Sequence, residues 1–231
     1  MMHYRPELLL FDLDGTLAHT VPQLALAAQE TAQALNIKAP SLDEVAHFVG
    51  NGVMMLLTRT IVGRFEAQIT DVDPKLLQQA RKIFNERYLQ GLPRNFTVYP
   101  GVKTGLEHFN ALGLKCAVVT NKPQMFAKPL LELMGLSSYF AYILGGEVLP
   151  VRKPDPKPLL YVCEKLQVKP EHALMVGDSV NDIKAGQNAA IPTVAFSYGY
   201  NGGHDVREFN PDYAFDSFDE LTALIDSLPP R

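Results

Sequence analysis

Two aspartates spaced by one residue follow an apolar run near the start of the chain. The run LLLF at residues 8–11 has the length and composition of a buried β-strand, and Asp12 and Asp14 come directly after it. Because strand side chains alternate between faces, the two carboxylates should point to the same side. Two like charges at the end of a buried element repel each other, so a metal ion, a proton or a cationic group must neutralise them.

Short apolar runs with the character of strands recur along the chain, and helix-period stretches separate them. They read ELLLFD, KCAVVT, YILGG, ALMVGD and PTVAFS. This βα alternation predicts an α/β fold with a Rossmann-like parallel sheet and helices on both of its faces.

One region, from about residue 22 to residue 92, breaks the alternation with helical pattern and no convincing strand. Ser41 and Glu44 have the spacing of a capping box, and Asp73 followed by Pro74 is typical of a helix start. We therefore predict an all-helical cap domain at 18–94, inserted into an α/β core formed by 1–17 and 95–231.

Polar residues follow the other predicted strands, where ligands bind in open α/β sheets. Thr120 is the last residue of KCAVVT and is followed by Asn121 and Lys122. Asp178 and Asp182 follow ALMVG, and Lys153 precedes a predicted helix. Carboxylate oxygens suit Mg²⁺, and hydroxyl, amide and ammonium donors suit a phosphate group. The sequence thus predicts a site for a divalent cation and a phosphate at one edge of the sheet.

These motifs resemble a known family. FDLDGT, VVTN, RKPDP and VGDSVND, in this order, resemble the four motifs of the haloacid dehalogenase-type phosphohydrolases, and the inserted helices resemble that family's cap. VGNG, TNKP, KPDPKPLL, GDSVNDIKAG and YGYN are most similar to phosphoglycolate phosphatases. The resemblance covers nearly the whole chain. It implies Mg²⁺-dependent hydrolysis of a small phosphomonoester, 2-phosphoglycolate in first place, through an aspartyl-phosphate intermediate.

The resemblance also implies a role for each motif residue. Asp12 would be the nucleophile, and Asp14 the general acid and later the general base. The carboxylates of Asp12 and Asp178 and the backbone carbonyl of Asp14 would hold Mg²⁺, and Asp182 would support Lys153 or the metal ligands. The residues expected to bind the phosphate are Gly15, Thr16, Thr120, Asn121 and Lys153.

Four further residues are candidates for substrate specificity. His19 stands where the family usually has an acidic residue, at the exit from the core to the cap. Backbone amides at Asn51 and Gly52 could face a substrate carboxylate, although a plain turn between helices explains them equally well. Arg59 could clamp that carboxylate, although exposed helix arginines more commonly bind nothing. We interpret residues 199–203, GYNGG, as a mobile surface loop.

The composition of the chain limits the kinds of molecule that it could bind and the compartment in which it is expected. Of 231 residues, 47% are hydrophobic and 20% are charged, and the net charge of −4 with no basic patch argues against nucleic acid. No segment has the length of a membrane span or a signal peptide. Cys116 and Cys163 lie in apolar surroundings, as expected for free thiols in a reducing cytoplasm. A cytoplasmic monomer or weak homodimer is the expectation.

Three other activities and one non-catalytic role are alternatives to this function. A sugar-phosphate phosphatase or a phosphomutase would keep all four motifs, so both stay open. A dehalogenase is disfavoured because Asp14 is present. A non-catalytic phosphate-binding module is disfavoured because such proteins typically lose Asp12 or Lys153, and this chain has both.

Overall fold

The computed structural model describes residues 2–231 and contains a six-stranded parallel sheet. The strands of the chain are β1 (Leu8–Phe11), β2 (Ala18–His19), β3 (Thr97–Val98), β4 (Lys115–Pro123), β5 (Tyr142–Gly146), β6 (Ala173–Gly177), β7 (Thr193–Phe196) and β8 (Tyr213–Phe215). The helices are α1 (Val21–Ala34), α2 (Leu42–Phe48), α3 (Val53–Val62), α4 (Pro74–Gly91), α5 (Val102–Ala111), α6 (Gln124–Leu133), α7 (Lys157–Leu166), α8 (Val180–Ala189) and α9 (Phe218–Ser227). The strand order in the sheet is β5-β4-β1-β6-β7-β8.

Strand β1 lies in the middle of the sheet, between β4 and β6, and all four of its residues are fully buried. Leu9 and Phe11 face a core formed with α5, α6 and α9, while Leu8 and Leu10 face the core formed with α7 and α8. Each such side chain contributes about 1.5–3 kcal/mol by leaving water. The predicted α/β sheet with helices on both faces is confirmed, and its rigid centre ends at Asp12.

The sheet has one strand more than the apolar runs predicted. Strand β8 pairs with β7 through Tyr213 and Phe215, but its residues are only half-buried and the strand is three residues long. A run this short gives too little periodic signal to be separated from a loop.

Helices α1–α4 form the segment between β2 and β3, and these two short strands pair with each other in antiparallel orientation. The predicted helix starts are confirmed: Ser41 and Glu44 exchange capping-box hydrogen bonds, and the Asp73 carboxylate accepts the N–H groups of Lys75 and Leu76. The domain boundaries at 18 and 94 stay a prediction. In residues 2–231, no helix is long and apolar enough to cross a membrane.

Candidate active site

A cavity of about 40 Å³ lies between the carboxyl end of the sheet and the helices of segment 18–94. Asp12, Asp14, Thr120 and Asp178 line its sheet side, because the loops after β1, β4 and β6 converge there. Apolar side chains of α1 and α3 and the turn before α3 close the other side; they are Leu24, Val49, Val53 and Leu56. The structure thus brings the strand-end residues singled out in the sequence to one place.

Asp12 has a buried carboxylate that is only partly neutralised. Its Oδ1 lies 3.0 Å from Lys153 Nζ, within ion-pair distance, yet this buried oxygen accepts no hydrogen bond in the part of the chain described. Burial raises the pKa of Asp12 to about 6, against the lowering effect of the Lys153 ammonium and of a hydrogen bond from Thr120. A buried carboxylate oxygen that accepts no hydrogen bond is a group that a cation or a phosphorus centre would satisfy.

Lys153 is fixed by groups behind it. Its Nζ donates to Val119 O and to Asp182 Oδ1, both at 2.6 Å, and the Lys153 and Asp182 side chains are each 1% exposed. The other oxygen of Asp182 accepts from Ser179 N, Ser179 Oγ and Asp178 N, because Asp182 is the third residue of α8 and completes a capping box there. Asp182 therefore holds Lys153 and the loop after β6, one of the two placements expected for it.

Asp178 is packed against two glycines and two donors. Its Oδ1 accepts from Thr16 Oγ1 at 2.5 Å and its Oδ2 accepts from Tyr200 N at 2.6 Å. Gly15 has a φ of +89°, and a Cβ there would lie 2.3 Å from Asp178 Oδ2; a Cβ on Gly199 would lie 2.2 Å from Asp178 Cβ. Burial, followed by the carboxylates of neighbouring residues, raises the pKa of Asp178 well above its usual range.

Two residues expected to bind the phosphate have other partners in the structure. Thr16 is fully buried and its hydroxyl is committed to Asp178, so it positions a carboxylate instead of facing the cavity. The two side-chain N–H groups of Asn121 donate to Gly50 O and Lys153 O, each at 3.0 Å. Since Asn181 Nδ2 also donates to Gly50 O, at 3.2 Å, these amides join the turn before α3 to the core.

Lys122 is a residue of the site to which the sequence analysis assigned no role. Its Nζ lies 2.9 Å and 3.0 Å from the two Asp14 carboxylate oxygens, and its side chain is 2% exposed. The ammonium also lies 4.7 Å from the ring centroid of Tyr88 in α4, and the Thr20 hydroxyl donates to Asp14 Oδ1 at 2.6 Å. Burial lowers the pKa of Lys122, but the Asp14 carboxylate and Tyr88 together outweigh this effect, and the net direction is upward. The position of Lys122 directly after the Thr-Asn pair was the available signal.

Tyr200 was also missed, because it lies in the segment interpreted as a mobile loop. Its N–H is bound to Asp178, and its hydroxyl accepts from Thr20 N at 2.8 Å and from Val21 N at 3.2 Å. The start of segment 199–203 is therefore anchored to the core and to the first turn of α1, and Tyr200 lines the cavity.

The four candidates for specificity are placed differently from one another. Gly52 lines the cavity, but Asn51 does not. His19 Nδ1 lies 2.7 Å from the Tyr200 hydroxyl, outside the cavity wall. Arg59 is buried, with 6% of its surface exposed. Its guanidinium donates to the backbone carbonyl of Phe48, the last residue of α2, and to that of Phe65, which follows the end of α3. The structure therefore does not bring Arg59 to the cavity, because its donors tie segments within 18–94 together.

The acidic groups fit a divalent cation. One carboxylate oxygen each from Asp12, Asp178 and Asp182 lie within 4.8 Å of one another. Both Asp182 oxygens are already engaged by Lys153 and the start of α8, whereas Asp12 Oδ1 has no hydrogen bond. Oxygen donors of this kind are the ligands that Mg²⁺ prefers, and a cation there would relieve the repulsion among the carboxylates.

Comparisons with known proteins agree with this geometry. Residues 9–196 match the family described as haloacid dehalogenase-like hydrolase. A phosphoglycolate phosphatase of Psychrobacter arcticus is 44% identical over 223 residues, covering 96% of this chain and 95% of that protein. One from Colwellia psychrerythraea is 41% identical, with 93% and 95% covered. The crystal structure of a predicted phosphoglycolate phosphatase from Haemophilus somnus is similar with a TM-score of 0.88 and 33% identity, over 97% of this chain and 99% of that one.

Proposed function

This chain belongs to the haloacid dehalogenase-like hydrolase family, and we propose that it is a Mg²⁺-dependent phosphatase that hydrolyses 2-phosphoglycolate to glycolate and phosphate. The observation that carries the proposal is the Asp12 carboxylate at the end of β1, with one buried oxygen free of hydrogen bonds and 3.0 Å from Lys153. The likeness to proteins named phosphoglycolate phosphatase supports the choice of substrate.

The chain's own residues supply each step of the reaction. The Asp12 carboxylate attacks phosphorus, and the bond from phosphorus to the ester oxygen breaks. Lys153 and the Thr120 hydroxyl neutralise charge on the transferring group, which is the main requirement of phosphoryl transfer. Asp14 gives a proton to the leaving alkoxide oxygen and later takes one from the water that hydrolyses the aspartyl-phosphate.

We propose that Asp12, Asp178 and the Asp14 carbonyl hold the Mg²⁺ ion. When bound, the ion neutralises charge on the phosphate oxygens and on the Asp12 carboxylate. Thr16 and Tyr200 fix the Asp178 carboxylate from behind, so that its orientation is set before any ligand arrives.

We also propose that 18–94 is a cap that opens for substrate. A cavity of 40 Å³ holds only a few water molecules, so a phosphomonoester needs more room than the closed arrangement gives. The paired strands β2 and β3 join the cap to the core and are the natural hinge.

The proposed function can be tested by a phosphate-release assay that compares wild-type protein with the Asp12→Asn variant. Wild-type protein with Mg²⁺ should hydrolyse 2-phosphoglycolate faster than sugar phosphates, and Asp12→Asn should lose at least about 10³-fold in kcat, because the nucleophile is gone. The variant should stay folded, since it removes one charge from a crowded acidic cluster. Full activity of Asp12→Asn, or a clear preference for a sugar phosphate, would contradict the proposal, and isomerised product without phosphate release would indicate a mutase.

A further inference from the structure

The cavity has an uneven distribution of charge between its two ends. Asp12 and Asp178 lie at the end where Lys153 approaches, and the other end is walled by apolar side chains of α1, α3 and α6. Among the described residues that line the cavity, Lys122 is the one with a cationic side chain. Phosphoryl-transfer chemistry does not require a second buried ammonium at this position, because Lys153 already contacts the nucleophile.

An ammonium buried in the wall of this cavity is a group that can recognise an anion. Removing such a charge from water is costly, and it is kept where a partner carboxylate compensates it. In this structure that partner is Asp14, with both carboxylate oxygens within 3.0 Å of Lys122 Nζ. The Lys122 ammonium also faces the ring of Tyr88, and its Nζ lies 4.7 Å from the ring centroid.

Asp14 has a second donor that can keep it in place if the ammonium changes partner. Thr20 Oγ1 donates to Asp14 Oδ1 at 2.6 Å, so the carboxylate would not be left without a hydrogen bond. The N-terminus of α3 at Gly52 and Val53 lines the same cavity, and its dipole adds a weak preference for negative charge.

We propose that Lys122 is the specificity-determining residue for the negatively charged end of the substrate. Its ammonium is held by Asp14 in the ligand-free site and shifts to the substrate carboxylate when the phosphate group occupies the end of the cavity near Asp12. Asp14 is then free to turn toward the leaving-group oxygen. The inference rests on the proposed phosphatase function and explains how the active site would select a phosphomonoester that carries a carboxylate.

The test is a calorimetric titration of Mg²⁺-loaded protein with two phosphonates that cannot be hydrolysed. One, 3-phosphonopropionate, carries a carboxylate tail, and the other, propylphosphonate, carries a methyl group in its place. Wild-type protein should bind the carboxylate ligand about 10- to 100-fold more tightly, the range expected for one charge-assisted contact out of water. Lys122→Met should remove this preference and leave the affinity for propylphosphonate nearly unchanged.

The matched control is Lys128→Met, which removes a positive charge from an exposed position of α6 and should retain the wild-type preference. Lys122→Gln is the second variant, because it keeps a donor toward Asp14 if the methionine disturbs the fold. A preference that survives in both Lys122 variants, or is absent from wild-type protein, would overturn the proposal.

A parallel assay separates this inference from the proposed function. Turnover of 2-phosphoglycolate and of 2-hydroxyethyl phosphate by wild-type protein tests the function, whereas the phosphonate titration does not depend on turnover. In the turnover assay, Lys122→Met should lower kcat/KM about 10- to 100-fold more for the acid than for the alcohol. Equal losses for both substrates would show that Lys122 only holds Asp14, and the proposal would fall.

Discussion

Replacing Asp182 with asparagine should destabilise the protein, although the side chain touches no proposed reacting atom. The carboxylate accepts a hydrogen bond from Lys153 through Oδ1 and from the start of α8 through Oδ2. An amide group offers one oxygen and one NH₂ in the same space. In one orientation the NH₂ faces the Lys153 ammonium, and in the other it faces the backbone N–H groups of Asp178 and Ser179.

The size of the effect follows from two opposing contributions. Removing one partner of a buried ion pair typically destabilises by about 3–5 kcal/mol, and the lower end applies because Lys153 keeps its contact with Asp12 at 3.0 Å. The change also relieves repulsion with the carboxylates of Asp12 and Asp178. That gain is smaller, because the contact between Lys153 and Asp182 is short, at 2.6 Å, and is a hydrogen bond as well as an ion pair. We expect the free energy of unfolding to fall by about 2–3 kcal/mol, which corresponds to roughly 4–12 °C in Tm for a chain of this size.

The assay is thermal unfolding followed by circular dichroism, with EDTA present so that bound metal does not contribute. The control is Asp219→Asn, which removes the same charge from an exposed position in the first turn of α9 and should move Tm by no more than about 2 °C. If Asp182→Asn melts as close to wild type as the control does, the buried network does not hold the loop after β6 as argued.

Two further predictions concern the thiols and the cap. Burial raises the pKa of Cys116 to about 12 and that of Cys163 to about 11, so native protein should react negligibly with a thiol reagent below about pH 10, and urea-unfolded protein should titrate two thiols. Because both thiols ionise first in the unfolded chain, stability should fall as pH rises above about 9; fast labelling of native protein at pH 8 would contradict this. Arg81 in α4 forms a bidentate ion pair with Glu147 after β5, at 2.7 and 3.0 Å. Joining Arg81→Cys to Glu147→Cys with a short cleavable bismaleimide should stop phosphate release until the linker is cleaved; undiminished turnover in the linked protein would refute cap opening.

Much of the fold could be predicted because its signals are local. The apolar run of β1, the capping box at Ser41 and the Asp73-Pro74 start each depend on neighbouring residues, and the structure confirms them. The βα alternation was sufficient to predict a parallel sheet, and that rule also brought the strand-end residues to one edge. The same alternation could not reveal β8, whose three half-buried residues resemble a loop.

The partners of individual side chains were harder to predict, because they are distant in sequence. Lys122 meets Asp14 across 108 positions, and Tyr200 meets Asp178 across 22. A lysine before a proline, or a tyrosine in a glycine-rich stretch, has no local feature that separates a buried contact from an exposed one. Thr16 was grouped with the phosphate-binding residues next to Gly15, and nothing in the local sequence indicated that its hydroxyl is committed to Asp178.

The insertion of four helices after β1 has a consequence for how the chain folds during synthesis. Leu8 pairs with Lys115 on one side and with Ala173 on the other, so β1 has no neighbouring strand until about half of the chain has been made, and it lacks the second one for longer. The helices α1–α4 can form first, because their contacts with one another join residues that are closer in sequence than those paired by β1. During that time the apolar side chains of β1 stay exposed. We therefore expect nascent chains cut before β4 to need protection from aggregation, and the sheet to close late.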